Sequence, residues 1–352
     1  MRKLIMISLV ISRGVVFAQD NDSTLKSKWT LTGSVDGYYR YDFHDEKDSG
    51  YTNNLTSFTN SHNSFELGMA SLKADYSKGN VSGTIDLGFG RRAEEFSYND
   101  AGARTAIKQA FVSYAPSEHV KFTMGKWATH VGYELVDAYL NRNYSMAYMF
   151  SYGPFFHTGV KADFTFDKVG FMVGVANPTD YLTASFSKRF LIGQLSAASK
   201  DRKLKGYLNY VGGKYESGIA VNQVDLVATG AVSDQFSIGY NGTVQMVKAK
   251  GTDGNSWWGS ALYVNYDPLA AFGLTLRGEY FDDKKGVSGL TSATGVATSV
   301  FATTLSGNIR IDNLTIIPEF RLDKAKDAIF FKKSVEPVKS TAALILAVVF
   351  HF

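Results

Sequence analysis

The sequence predicts an all-β protein: a transmembrane antiparallel up-and-down β-barrel of about sixteen strands, its third long loop folded into the lumen. Three observations predict it. Segments of alternating apolar and polar residues recur along the chain, and the connections between them alternate between short and long. The chain also closes on an apolar, aromatic-ended stretch, STAALILAVVFHF (Ser340 to Phe352).

Composition narrows the class. The 352 residues include no Cys, which excludes disulfides, thiolate metal sites and cysteine catalysis. Tyr 20 and Phe 25 dominate an aromatic share of 14%, as expected where rings line two membrane–water interfaces. Beyond the first residues no apolar run reaches the about 20 residues of a membrane helix. Mean hydropathy is -0.11, compatible with a barrel, where only alternate residues need be apolar. The formal charge is +4, and Arg2, Lys3 and Arg13 supply three of the positive charges from a segment expected to be removed. No basic run points to nucleic acid.

In chain order, Met1 to Ala18 reads as a secretory signal peptide. Arg2 and Lys3 give the basic start, Leu4 to Ile11 the apolar middle, and Val16 to Ala18 a cleavage pattern. Residues 19–28 are a polar periplasmic lead-in, and 19–352 form a single barrel domain. From Trp29 to Phe43, Leu31, Val35, Tyr39 and Tyr41 alternate with Thr32, Asp36, Arg40 and Asp42. Phe236–Met246 and Leu314–Leu322 repeat the pattern. Further strands are expected to begin near Phe65, Val81, Thr105, Val120, Thr158, Val169, Leu191, Leu204, Asn222, Trp258, Phe272 and Val300. Phe65 to Tyr76 changes phase once, which predicts a bulge, and Leu191 to Ser199 is the weakest segment. In the closing strand, Leu344, Leu346, Val348, Phe350 and Phe352 share one side.

Tight turns are expected at 78–80, 116–119, 167–168, 200–203, 233–235, 267–270 and 312–313. Between them fall the long connections, of which Thr129–His157 is the third and longest. A soluble sandwich has no reason to alternate in this way. An outer-membrane barrel has short periplasmic turns and long outer loops. In the third connection Tyr133, Val136, Leu140 and Tyr144 fall at helical spacing, so a short helix is expected there. Met146, Tyr148, Met149 and Phe150 add apolar weight, and such a segment is costly to leave in water. Folded into the mouth it would narrow the pore. A lid over the rim and an adhesive outer surface are the alternatives.

The run GKWATHVGYELVDAYLNRNYSMAYMFSYGPFFHTGVKADF (Gly125 to Phe164) resembles the signature region of the outer-membrane β-barrel porin-2 family, the OmpL-like porins of Gram-negative bacteria. GSVDGYYRYDF (Gly33 to Phe43) and SFELGMASLKADYSKGNVSGTIDLGFG (Ser64 to Gly90) are similar to that family's opening strands. The resemblance implies a porin or porin-like barrel in the outer membrane, in contact with its lipid and passing small hydrophilic solutes. A homotrimer is compatible with a porin of this size. No functional residue carries over from the family.

The candidate site therefore comes from strand parity. The wall face includes Arg40, Lys73, Lys121, Lys161, Asp163, Arg277, Glu279, Glu319 and Arg321, with acids and bases interspersed, so a wet, mixed-charge lumen is expected. Glu134, Asp137 and Arg142 are the charges of the third loop and the candidate constriction, with Glu134 and Asp137 expected to face basic wall residues such as Arg40. Asp45 to Asp48 in the first outer loop read first as a solvated segment, with contact to divalent cations or lipopolysaccharide as the alternative. The six histidines show no HExxH spacing and no nucleophile motif is present, so no catalytic role, metal or cofactor is called for. The rival functions are a non-conducting barrel with an adhesive or surface-structural role, and a barrel enzyme.

Overall fold

The protein was analysed as a computed structural model, which describes residues 27–45, 52–292 and 294–352. The predicted signal peptide, residues 19–26 of the lead-in and Glu46 to Asp48 lie outside the described residues. Sixteen strands close into one antiparallel barrel. They are β1 (Lys28–Asp42), β2 (Ser64–Lys78), β3 (Val81–Phe89), β4 (Ile107–Ser117), β5 (Val120–Ala128), β6 (Phe156–Phe166), β7 (Val169–Ala176) and β8 (Phe190–Ala198). There follow β9 (Leu204–Lys214), β10 (Ala220–Ala231), β11 (Phe236–Lys248), β12 (Asn255–Leu269), β13 (Phe272–Asp282), β14 (Ser299–Ile311) and β15 (Leu314–Ala325). A small hairpin, β16 (Phe330–Phe331) with β17 (Pro337–Val338), sits in the last long connection, and β18 (Ser340–His351) completes the barrel.

Each strand pairs with its neighbours in sequence, and β18 returns to β1 with Ser34 opposite His351. Closure is sealed by reciprocal backbone bonds, Gly33 N–H to Phe352 O at 3.1 Å and Phe352 N–H to Gly33 O at 3.0 Å. No edge is left for another chain to pair with. The predicted bulge is present: Asp36 faces Met69 and Gly37 faces Leu67, so Gly68 is the extra residue of β2. The weak segment forms β8 in full register with β7 and β9. The fifth outer connection, 215–219, is no longer than the turn 199–203 before it, so the short–long alternation fades there.

Strand parity separates two environments. On β18, Leu344, Leu346, Val348 and Phe350 are exposed while Ala343, Ile345, Ala347 and Val349 are buried. On β15, Phe320 and Leu322 are exposed while Glu319, Arg321 and Asp323 are buried. Apolar outside and polar inside is the arrangement a lipid-facing barrel requires. The outward rings gather near the strand ends. Trp29 and Tyr76 meet at 4.7 Å and Phe164 and Phe171 at 4.4 Å toward the short-turn end, with Phe65, Trp258 and Phe301 toward the other. No described helix is long and apolar enough to cross a membrane, which bears only on helical spans.

Candidate functional site: the third outer connection and the wall it meets

The connection from β5 to β6 is bonded along its length to alternate, polar-face side chains of the wall. Gly132 N–H donates to Asp225 of β10 at 3.0 Å and Tyr133 N–H to Asn241 of β11 at 3.3 Å. Glu319 of β15 accepts from the amides of Tyr144 and Ser145 at 2.7 and 3.1 Å. Glu279 of β13 accepts from those of Tyr148 and Met149, both at 2.8 Å. Two wall carboxylates thus each hold a pair of consecutive loop amides. The helix expected over Tyr133–Tyr144 does not form. The wall ties the amides at the two ends of that span, Tyr133 and Tyr144, the Asn141 side chain takes both the amide and the carbonyl of Leu135, and only a 3-10 turn at Ala138–Leu140 and a single helical turn, α2 (Tyr148–Ser151), are present.

The three loop charges are paired. Glu134 accepts from Arg277 at 2.6 Å and from the Tyr263 hydroxyl at 3.1 Å, and also takes the amide of Ala147 at 2.7 Å. Asp137 meets Lys108 of β4 at 2.5 Å, and Lys108 in turn meets Asp86 at 3.1 Å. Arg142 forks onto Asp267 with two bonds of 2.9 Å and reaches Thr275 at 2.6 Å. Glu134 and Asp137 thus meet basic residues of the wall, but these are Arg277 and Lys108 and not Arg40, which donates to Asp42 and to the Ser61 carbonyl, both at 3.3 Å. Glu134–Arg277 and Asp137–Lys108 are the more deeply buried pairs, and a desolvated ion pair is costly to break from one side; Arg142–Asp267 is half-buried.

The expected wall residues fall into two groups. Arg40, Arg277, Glu279, Glu319 and Arg321 are buried. Arg321 is engaged by Asp323 at 2.8 Å and by the Met146 carbonyl at 2.7 Å. Lys73, Lys121, Lys161 and Asp163 stay partly exposed, as do Asp75, Lys205 and Arg310 on the same face. Lys73 pairs with Asp75 at 3.3 Å and Lys161 with Asp163 at 3.2 Å.

Several anchors were not foreseen. Lys108 sits at the register shift between β3 and β4, where parity no longer assigns a face. Arg92 lies in α1 (Arg91–Phe96) of the second outer connection and donates to the carbonyls of Val136 and Tyr144 at 3.3 and 3.1 Å. Asp180, between β7 and β8, accepts from the amides of Phe155 and Phe156 at 2.7 and 3.0 Å. Apolar filling completes the contact. Phe58, Phe96, Val136, Met146, Phe150 and Phe155 form one buried cluster that joins three outer connections.

Two glycines of the wall act as seats. A methyl group on Gly239 of β11 would lie 2.5 Å from the ring of Tyr133, and one on Gly259 of β12 would strike Met149. These residues are legible in the sequence only as gaps in a strand pattern.

A closed sixteen-stranded barrel with an apolar exterior, a polar interior and a long connection bonded to that interior is the architecture of outer-membrane porins. The chain belongs to the beta-barrel porin-2, OmpL-like family, whose model matches residues 28–352. The fold is similar to the outer membrane channel DcaP of Acinetobacter baumannii (TM-score 0.65, 13% identity, 93% of this chain and 97% of that one). It is also similar to an anion-selective porin from Comamonas acidovorans (TM-score 0.62, 13% identity, 93% and 100%). OmpT of Vibrio cholerae aligns with TM-score 0.61 at 11% identity, over 93% and 98%. No curated protein sequence matches the chain.

Proposed function

We propose that the protein is a passive diffusion porin of the outer membrane, exported by its signal peptide, and that the third connection lies within the lumen and sets the width of the channel. The observation that carries this reading is that one connection bonds to polar-face side chains of β1, β4, β10, β11, β13 and β15. Strands spread so widely around a closed wall share only its interior. Glu134, Asp137 and Arg142 then serve as anchors of the constriction more than as free charges facing solute.

The partly exposed charges lie toward the short-turn ends of their strands. Lys121 is the second residue of β5, Lys205 the second of β9 and Arg310 the next to last of β14. Together with Lys73 and Lys161 they outnumber Asp75, Asp163 and Asp267, the last of which pairs with Arg310 at 2.8 Å, so the periplasmic vestibule favours small anions weakly. An anion-selective porin is among the proteins of similar fold, and a trimer form is described for OmpT, which supports self-association as a homotrimer. Purified protein in a planar bilayer should give discrete conductance steps and a reversal potential displaced toward the anion. A barrel that leaves the membrane as tight as a protein-free control would be a surface-structural protein instead.

A further inference from the structure

The lipid-facing columns of four strands end alike. On β9 the outward positions run from Leu204 through Leu208 and Tyr210 to Lys214, and on β11 from Phe236 through Val244 and Met246 to Lys248. On β13 they run from Phe272 through Leu276 and Tyr280 toward Lys284, and on β15 from Leu314 through Phe320 and Leu322 to Lys324 and Lys326. Each column is apolar at the short-turn end and cationic at the long-loop end. The intervening outward columns of β10, β12 and β14 carry neither acids nor bases: Asn222 and Leu226, Trp258 and Leu262, Phe301 and Leu305 stand there.

Counted from the first residue of its strand at the short-turn end, Lys214 (from Leu204) and Lys324 (from Leu314) lie 10 residues on, and Lys248 (from Phe236), Lys284 (from Phe272) and Lys326 (from Leu314) lie 12 residues on. Lys214 and Lys248 both pair across Ala220, and Lys324 pairs with Phe301, which pairs with Tyr280. The Tyr280 hydroxyl accepts from Lys284 at 3.2 Å. Lys214 and Lys248 are two strand spacings apart, about 10 Å. Lys284 is satisfied within the protein by Asp282 at 2.5 Å. Lys214, Lys248, Lys324 and Lys326 are exposed, and among the described residues none has an ion-pair partner. A lysine that needed only water would sit as well on a loop tip. These four stand directly above apolar side chains, at the height where the stem lies along acyl chain and the ammonium meets headgroups.

We propose that this arc of lysines, from β9 to β15, is a binding site for the phosphate-bearing lipid headgroups of the outer leaflet. The proposal rests on the outer-membrane barrel reading but not on conduction. Its aromatic neighbours Trp258, Tyr280 and Phe301 fix the depth of the barrel, and the ammonium groups select the headgroup charge. The predicted occupant is the membrane lipid and not a free anion, because the columns offer the stem of each lysine an apolar bed that only a lipid shares.

The test is spin-label resonance on the full chain in phosphatidylcholine vesicles, comparing labelled phosphatidic acid with labelled phosphatidylcholine at the protein surface. Wild type should prefer phosphatidic acid about five-fold at low ionic strength, the preference expected where each headgroup meets one lysine. The variant K214Q/K248Q/K324Q/K326Q should lose most of that preference, and the pairs K214Q/K248Q and K324Q/K326Q part of it. K28Q/K78Q, at the opposite rim, should keep it. Equal preference in the fourfold variant and wild type overturns the proposal. So does a preference abolished by millimolar inorganic phosphate, which would mark a free-anion site, or a fourfold variant whose oligomeric state changes, which would mark a subunit contact. Single-channel conductance of the variant should equal that of wild type, so failure here is separable from failure of the porin reading.

Discussion

Arg277 holds both limbs of the third connection with one nitrogen: Nη1 donates to Glu134 Oε1 at 2.6 Å and to the Ser145 carbonyl at 2.7 Å. Both ends of the pair are buried, so removing one partner strands the other's charge. Arg277→Met should cost about 3–5 kcal/mol and raise current noise through the open channel. Pairing it with Glu134→Gln should restore part of the loss, since the stranded charge goes with it. Thermal unfolding of the two single variants and the double variant measures the coupling. Additive losses would mean that the pair does not hold the loop.

The glycine seats give a steric test that leaves charge untouched. Gly239→Val would place a side chain where the Tyr133 ring lies, and Gly259→Val where Met149 lies. Each should displace one limb of the loop while the strand registers of β11 and β12 persist. Conductance should rise with the heat-resistant electrophoretic form retained. A variant that loses the barrel itself would show the glycines serve the strands and not the loop.

Most of the fold was readable because a barrel wall repeats one rule. Side chains of period two reveal which face meets lipid, and Leu344 to Phe352 or Phe320 and Leu322 obey it without exception. Even the bulge at Gly68 showed as a change of phase. The candidate site was less readable, for a physical reason. Parity says that Arg277 faces inward but not which of the loop's acids it meets, because that contact spans 143 residues of sequence. Lys108 was missed because a register shift interrupts parity at its position, and Arg92 and Asp180 because they lie in connections with no repeating face. The expected helix failed for a related reason. The apolar spacing of Tyr133, Val136, Leu140 and Tyr144 is real, but the amides at both ends of the span bond to the wall and the Asn141 side chain takes the backbone of Leu135, contacts that spacing does not reveal.

Acidity should tighten the outer surface. Asp180 lies in an outer connection and receives Phe155 and Phe156 N–H, while the Tyr98 hydroxyl approaches its second oxygen at 3.3 Å. Burial raises its carboxyl from the ordinary 3.8 to about 7, against the lowering pull of those bonds and of Lys126. A carboxyl raised in the folded state binds its proton more tightly there than in the opened one. The clasp between the second, third and fourth outer connections is therefore strongest at low pH. It weakens as pH rises from about 4 to about 7 and is level above that. With the intrinsic rise of amide exchange with pH divided out, the protection of Phe155 and Phe156 should fall over that window in wild type and stay level in Asp180→Asn. Protection that grows as pH rises would reverse the assignment.

The vestibule charges predict the direction of selectivity. Lys121 and Lys205 are partly exposed on the polar face near the short-turn ends. Lys121→Glu with Lys205→Glu should move the reversal potential toward cations, the more so at low salt, where screening is weak. The same exchange at Lys324, on the lipid face, should leave it unchanged. An unmoved potential in the vestibule variant would place the selecting charges elsewhere.

The central claim is that the connection between β5 and β6 occupies the lumen, and its excision tests this most directly. A chain lacking Glu134 through Met149, bridged by a short glycine–serine linker, should still close its sixteen strands. In planar bilayers its single-channel conductance should rise clearly above that of the intact protein. Steps of unchanged size from the shortened chain would put the connection outside the conducting path and contradict the account.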